Sequence, residues 1–145
     1  MKKLLPVSAF LLLTLVFSFT SCEKEKTMEE LIIGRWAVES FTTVNYIDNV
    51  REYATTEYYR PDEFNILLLE DKTGIVFENH NPVIMFTWFL DSSLRTLNLH
   101  TEEDQLKWNI TVDEDIFGWS FSETKIEDNH TLKIEYVYSA MRVRS

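Results

Sequence analysis

The feature that most constrains the fold of this chain is a strict alternation of apolar and polar residues. Its clearest example is "LKWNITVD", in which Leu106, Trp108, Ile110 and Val112 alternate with polar side chains. Because successive side chains of a β-strand point to opposite faces, this period of two predicts a strand with one apolar and one wet face. Eight segments carry the pattern: residues 34–44, 63–70, 75–79, 83–91, 96–101, 106–113, 116–123 and 131–143.

The connections between these segments predict how the strands pair. Most are short and acidic, such as "DKTG" and "EEDQ", and short connections join antiparallel neighbours. We therefore expect an all-β fold, a small eight-stranded antiparallel up-and-down barrel. A two-sheet β-sandwich is the alternative architecture. A short helix precedes the first strand, because Thr27 and Glu30 form a capping-box pattern and Gly34 is a stop signal.

The alternation also predicts which residues share a face. In the third strand it places Ile75 and Phe77 together. In the first strand, one face holds Trp36, Val38, Ser40 and Val44. All four tryptophans fall on predicted inward faces: Trp36, Trp88, Trp108 and Trp119. Since the opposite faces carry lysine, glutamate and asparagine, we expect a water-soluble barrel with an apolar interior, not a membrane-spanning one.

The N-terminus carries an export signal. Two lysines precede an apolar segment that is short for a membrane-spanning helix, and small residues come directly before Cys22, the only cysteine. This layout resembles the lipobox of bacterial lipoproteins, with Phe19 in place of the usual aliphatic residue. The resemblance implies cleavage before Cys22 and acylation of its sulfur. The alternatives are an uncleaved membrane anchor and an ordinary signal peptide with a chance cysteine.

The lipobox also sets the expected organisation and location. Residues 1–21 form the signal peptide, residues 22–30 a lipidated tether, and residues 31–145 the β-barrel domain. Glu23 follows the cysteine where an aspartate would retain the protein at an inner membrane, so we expect an outer-membrane lipoprotein on either face of that membrane. The short tether predicts that the membrane is a close partner of the domain.

Composition excludes one class of partner. Without Lys2 and Lys3, the net charge of −10 becomes −12, and an acidic domain of this kind repels nucleic acid. With Cys22 acylated there is no disulfide, so the hydrophobic core must stabilise the fold. The 20 aromatic residues, 10 Phe, 6 Tyr and 4 Trp, suit that purpose.

Catalytic and metal-binding patterns are absent from the sequence. His80, His100 and His130 lie far apart, and no Gly-x-Ser-x-Gly or phosphate-binding glycine loop occurs. The acidic runs 102–104 and 113–115 lack the pattern of a calcium loop and are interpreted as solvated turns. We therefore expect no enzyme, no cofactor and no metal site.

Four motifs resemble a known family in their order along the chain. They are "GRW", "FNILLLEDKTG", "FTWFLD" and "LKWNI", and they resemble the lipocalin-like lipoprotein domains of Bacteroidota over residues 31–143. The resemblance implies a barrel that binds a small apolar molecule. The chain lacks the closing disulfide and the long helix of secreted lipocalins, so the resemblance implies no particular ligand.

Two sets of residues are the candidate binding site. The first is the tryptophans of the predicted upper barrel, Trp88, Trp108 and Trp119, and the second is the tyrosines of the long connection 45–63: Tyr46, Tyr53, Tyr58 and Tyr59. That connection is either a lid or an additional hairpin. We expect a membrane-anchored protein that binds a small hydrophobic molecule. The alternative is a cell-envelope interaction module, an inhibitor or accessory subunit, with a filled barrel.

Overall fold

The computed structural model describes residues 25–144. The signal peptide and Cys22, with its predicted acylation, lie outside these residues. One short helix, α1 (Met28–Ile32), precedes nine strands. They are β1 (Gly34–Ile47), β2 (Val50–Tyr58), β3 (Phe64–Leu68), β4 (Thr73–Glu78), β5 (Asn81–Asp91), β6 (Thr96–His100), β7 (Gln105–Val112), β8 (Ile116–Glu127) and β9 (His130–Arg142). The all-β prediction is confirmed.

Eight of these strands close into a barrel. From β3 to β9 each strand pairs with the next along the chain, and β1 pairs with β3 on one side and β9 on the other. Every pairing is antiparallel. The predicted up-and-down barrel is therefore confirmed, and the sandwich alternative is not adopted.

The ninth strand, β2, accounts for the long connection 45–63. It pairs with β1 from Ser40 to Ile47 through a two-residue turn at Asp48 and Asn49. Both turn residues have positive φ, 50° and 67°, the conformation that tight hairpins require and that Asp and Asn tolerate. Of the two alternatives for this connection, a lid or an additional hairpin, the structure has the hairpin.

Two long hairpins extend beyond the closed barrel. The end of β8 pairs only with β9, because β7 reaches β8 only from Phe117 to Ser120. Together with β1 and β2 this makes a four-stranded extension in the order β2-β1-β9-β8, which we call the projecting sheet (residues 41–58 and 121–138). Its two turns are joined, since Asp48 accepts hydrogen bonds from the backbone of Thr131 at 2.9 Å and contacts His130 Nδ1 at 2.7 Å.

The predicted face of β1 is wrong beyond Val38. A β-bulge between Val38 and Ser40 inserts one residue against β9, and an inserted residue reverses the alternation that follows it. Phe41 therefore pairs with the inward-facing Tyr138 and stacks on it at 4.6 Å between ring centroids. Ser40 and Val44 consequently lie on the outer face, although Val44 is only 8% exposed there.

In β4, Ile75 and Phe77 share one face as predicted, but that face is the outer one. The inward residue is Val76, which is buried and pairs with the inward-facing Ile66. Ile75 and Phe77 share the outer face, where the guanidinium of Arg35 lies 5.3 Å from the Phe77 ring centroid. The run "IVF" is apolar on both faces, so its alternation carries no directional signal.

The end of the barrel next to α1, which we call the base, is closed by polar contacts. The indole N–H of Trp36 donates to the carbonyl of Ile32 at 2.8 Å, and Trp36 is completely buried. The guanidinium of Arg142 lies 4.2 Å from the Trp36 ring centroid and donates to the carbonyls of Leu31, Ile33 and Glu114. These contacts satisfy carbonyls that the short helix leaves unpaired at its end.

Candidate ligand site at the barrel mouth

The opposite end, the mouth, is surrounded by inward-facing apolar side chains that are only partly buried. It lies where β4 turns into β5 and β6 turns into β7. Ile84 is 48% exposed and Leu106 is 41% exposed, although both point inward, opposite Val76 and Leu99. We call the full set the mouth ring: Phe41, Phe64, Ile84, Leu106, Phe121 and Tyr138.

A buried layer lies directly below the mouth ring. On each of the same six strands, the next inward residue toward the base is buried: Val38, Ile66, Phe86, Trp108, Trp119 and Ala140. Gly74 makes room for the Phe86 ring, since a Cβ at that glycine would lie 2.3 Å from it. This layer acts as a floor, so any site at the mouth is shallow and the space below it is filled.

The four tryptophans divide between the two ends. Trp88 belongs to the base, because its indole N–H donates to the carbonyl of Thr73 at 3.0 Å and the ammonium of Lys72 lies 4.2 Å from its ring centroid. Like Trp36, it has a partner for its one polar group. Trp88 was a candidate binding residue, but its position and its hydrogen bond remove it from the mouth.

Trp108 and Trp119 lie under the mouth and stack on each other. Their ring centroids are 5.3 Å apart at 18°, and Trp119 stacks in turn on Tyr138 at 5.0 Å and 6°. Trp108 is only 8% exposed, and its indole N–H has no hydrogen-bond partner among residues 25–144. A buried donor without a partner costs roughly 1–3 kcal/mol, so this position in the floor is less stable than a paired indole would be.

A groove of about 630 Å³ opens at the mouth beside Ile84 and Leu106. It exists because β6 is short: its last residue, His100, pairs with Thr87, which leaves the first six residues of β5 without a neighbour on that side. We call it the mouth groove. Its lining combines apolar side chains with an acidic turn: Pro82, Val83, Ile84, Met85, Thr101, Glu102, Glu103, Asp104 and Leu106.

The acidic turn of the mouth groove is stabilised by hydrogen bonds within the turn. Thr101 Oγ1 accepts hydrogen bonds from the backbone N–H of Glu103 at 3.3 Å and of Asp104 at 2.9 Å, and the Thr101 N–H donates to the Asp104 carbonyl at 2.9 Å. The carboxylates of Glu102, Glu103 and Asp104 make no hydrogen bond or ion pair with any other residue in the described part of the chain. All three charges are therefore left to solvent or to a ligand.

The tyrosines of the β1–β2 hairpin do not act as one group. Tyr59 reaches the mouth ring, with its ring centroid 5.9 Å from that of Phe64, and burial beside Glu57 and Glu63 raises the pKa of Tyr59. Tyr53 and Tyr58 are both exposed, on opposite faces of β2 because they pair with Asn45 and Ser40 respectively.

Tyr46 is the remaining predicted tyrosine, and it lies on the outer face of the projecting sheet. Its hydroxyl donates to Glu135 Oε2 at 3.1 Å, which raises the pKa of Tyr46, and the Lys133 ammonium lies 5.2 Å from its ring centroid. Tyr46 therefore has local partners and is directed away from the mouth.

Sequence reasoning missed most of the mouth ring. Phe41 was hidden by the β-bulge. Ile84 and Leu106 carried a usable signal, because each is the first inward residue of its strand and strand ends lie at barrel rims. Phe121 and Tyr138 lie in strands that extend past the barrel, which periodicity alone does not reveal.

The described residues contain neither a cluster of metal-binding side chains nor a membrane-crossing helix. Within residues 25–144, no group of three or more His, Cys, Asp or Glu side chains is placed to hold a metal ion. No helix in that part of the chain is long and apolar enough to cross a membrane. His80 lies 3.9 Å from Asp62, and His130 contacts Asp48. No family model, no curated protein and no solved structure matches this chain.

Proposed function

We propose that this protein is a lipid-anchored, lipocalin-like binding protein that holds a small apolar molecule at the mouth of its barrel. The observation that carries the proposal is the mouth groove, where half-exposed Ile84 and Leu106 form an apolar surface beside the polar turn 101–104. An apolar recess with a small number of polar groups at its edge is the usual composition of a small-molecule site.

The size of the groove supports a ligand of modest dimensions. A volume of about 630 Å³ falls within the range of about 300–1,000 Å³ that is common for such sites. The floor beneath the mouth ring keeps the ligand near the surface. A ligand would lie across the mouth, with its apolar part on Ile84 and Leu106.

The projecting sheet supplies a wall on the other side of the mouth. Its inward face continues the aromatic contacts of the ring, since Tyr136 lies 6.0 Å from Phe41 and 4.8 Å from Phe121 between ring centroids. Tyr53 lies farther out on the same face, opposite Asn45. Aromatic side chains contribute large apolar area with few rotatable bonds, which suits them to a binding wall.

The anchor is the second part of the proposal. Acylation of Cys22, which the lipobox resemblance implies, would attach the domain to an outer membrane a few residues before α1. The test is mass spectrometry of the intact protein from its host, with Cys22→Ala as the control. An unmodified thiol at residue 22, or a chain that begins at Met1, would contradict this part.

Ligand binding is tested with 8-bromo-1-octanol, a neutral alcohol whose bromine quenches indole fluorescence on contact. The protein is held in lipid nanodiscs and empty nanodiscs serve as the blank. We expect saturable quenching that Leu106→Gln weakens about tenfold. Leu94→Gln, the same change at an exposed leucine of the β5–β6 turn at the base, should leave binding unchanged. Absence of saturable quenching in the unmodified protein would overturn the proposal.

A second candidate function is a protein-interaction module, and strand β2 favours it. Every residue of β2 is exposed, and its outer edge pairs with no other strand of the described chain. A free strand edge is a site for pairing with another protein. Native mass spectrometry of protein from its host should then show a stoichiometric partner that Tyr53→Ser/Tyr58→Ser loses. An unpartnered protein would contradict this function.

A further inference from the structure

We propose that the mouth groove selects organic cations, meaning ligands with an apolar body and a positively charged head group. This inference rests on the proposed function, because it names the chemical class that the same groove takes. Two properties of the groove support this inference: an apolar contact surface and a set of carboxylates without partners.

The first property is the apolar contact surface on β5 and β7. Val83, Ile84, Met85 and Leu106 line the groove, and all four are at least 41% exposed. Exposing side chains of this size to water costs free energy. An alkyl chain or ring system that covers them on binding would remove that cost. The body of the ligand is therefore apolar.

The second property is the charge of the turn that faces this surface. Glu102, Glu103 and Asp104 are consecutive carboxylates, and no basic residue lines the groove. Their mutual repulsion is not relieved by any ion pair in residues 25–144. A cation in the groove would relieve it, whereas an anion such as a fatty-acid carboxylate would add to it.

The other acidic turn of the barrel, at the base, differs from the mouth turn in its contacts. In residues 113–115 at the base, Asp113 accepts the backbone N–H groups of Asp115 and Ile116, at 2.8 Å and 2.7 Å. Glu114 pairs with Lys26 at 3.1 Å, and Asp115 pairs with Arg144. Two turns with three carboxylates each thus differ: all three have partners at the base, and none has one at the mouth among the described residues.

The experiment compares three ligands that share an eight-carbon chain and differ in head group. They are octyltrimethylammonium, 1-octanol and octanesulfonate. The full chain, labelled with ¹³C at its methionine methyl groups, is placed in phosphatidylcholine nanodiscs and titrated by NMR. Met85 lines the groove and reports binding, and Met28 at the base is the internal control. Met141 lines a separate groove of about 640 Å³ on the outer wall and would report binding there.

We expect the Met85 methyl signal to shift saturably, with octyltrimethylammonium binding at least tenfold more tightly than octanesulfonate. The methyl signals of Met28 and Met141 should not shift. Raising the salt concentration should weaken the binding of the cation and leave that of octanol unchanged, because exposed charges are screened.

A matched pair of variants isolates the charge of the turn. Glu102→Gln/Glu103→Gln/Asp104→Asn should reduce the affinity for the cation at least fivefold and leave octanol binding unchanged. The control removes three exposed carboxylates elsewhere, Glu25→Gln/Glu70→Gln/Glu127→Gln, and so has the same net charge. It should bind the cation like the unmodified protein.

The outcomes separate the two proposals. Equal affinity for cation and alcohol, unaffected by the groove variant, would overturn the cation preference and leave the proposed function in place. Tighter binding of octanesulfonate would also overturn the preference. If Met85 responds to none of the three ligands, both proposals fail.

Discussion

The base and the mouth of this barrel use the same residue types in different states. At the base, Trp36 and Trp88 each donate the indole N–H to a backbone carbonyl, at 2.8 Å and 3.0 Å. At the mouth, the buried Trp108 has no partner for that group in residues 25–144. Buried polar groups in folded proteins are nearly always paired, and among the described residues the Thr96 hydroxyl, at the start of β6 near the base, is the other exception.

The same contrast holds for charge and for apolar surface. The base turn 113–115 has partners for all three carboxylates, whereas the mouth turn 102–104 has none in the described chain. Met28 and Ile33 pack against the core at the base, while Ile84 and Leu106 are half exposed at the mouth. The two ends therefore differ in the partners of their indoles and carboxylates more than in residue type.

The largest effect that tests this contrast is expected at Trp36. Trp36→Ala removes a completely buried ring and should lower the free energy of unfolding by about 3–5 kcal/mol. Leu106→Ala at the mouth should cost about 1 kcal/mol, because that side chain is already half exposed. Denaturant unfolding measures both values. Similar losses at the two positions would break the contrast between base and mouth.

A smaller loss is expected when the cation at the base is removed. Arg142→Met keeps the length of the side chain but leaves the carbonyls of Leu31, Ile33 and Glu114 without this donor. We expect a loss of about 2 kcal/mol in thermal or denaturant unfolding. Arg144→Met is the control, since Arg144 is exposed and should give little change. An equal effect from both variants would show that Arg142 contributes only charge.

The two indole N–H groups can be compared directly by a matched substitution. Trp88→Phe and Trp108→Phe remove similar ring volume, but only the first removes a hydrogen bond. Trp88→Phe should therefore cost about 1 kcal/mol more than Trp108→Phe. The two losses are compared from the midpoints of denaturant unfolding, provided that the denaturant dependence of the unfolding free energy is the same for both variants. If Trp108→Phe is the more damaging change, its N–H has a partner in solution.

The smallest expected effect concerns pH at the turns of the projecting sheet. Hydrogen bonds from His130 and from the Thr131 N–H lower the pKa of Asp48. The ionised Asp48 therefore stabilises the fold above the ordinary aspartate pKa of about 3.9. This stabilisation is lost as the pH falls through the lower pKa that Asp48 has in the folded protein. Asp48→Asn should remove this acid-side loss, which sets in below about pH 4, in unfolding measurements. Asp128→Asn, in the matching β8–β9 turn, should retain it.

Much of the architecture could be predicted from the sequence, because alternation reports on neighbours along the strand. "LKWNITVD" and the inward tryptophans were read correctly for that reason. The bulge at Glu39 could not be predicted, since one inserted residue leaves no mark in composition. The inward face of "IVF" could not be predicted either, because all three residues are apolar.

The candidate site was harder to predict because its properties depend on contacts between distant residues. Nothing near Glu114 in the sequence indicates that Lys26, 88 residues away, neutralises it. Likewise, nothing near Glu102 indicates that no cation reaches it. The sequence supplied tryptophans and tyrosines as candidates, and only the packing separates Trp108 from Trp88 and Tyr59 from Tyr46.

The position of α1 has a consequence for where a ligand comes from. The chain enters the barrel through α1 at the base, and Cys22 precedes Met28 by a span of at most about 22 Å. With acyl chains on Cys22, the base would face the lipid and the mouth would open toward the aqueous compartment. The ligand would then arrive from solution or from a neighbouring protein. The bilayer would anchor the protein and would not supply the ligand.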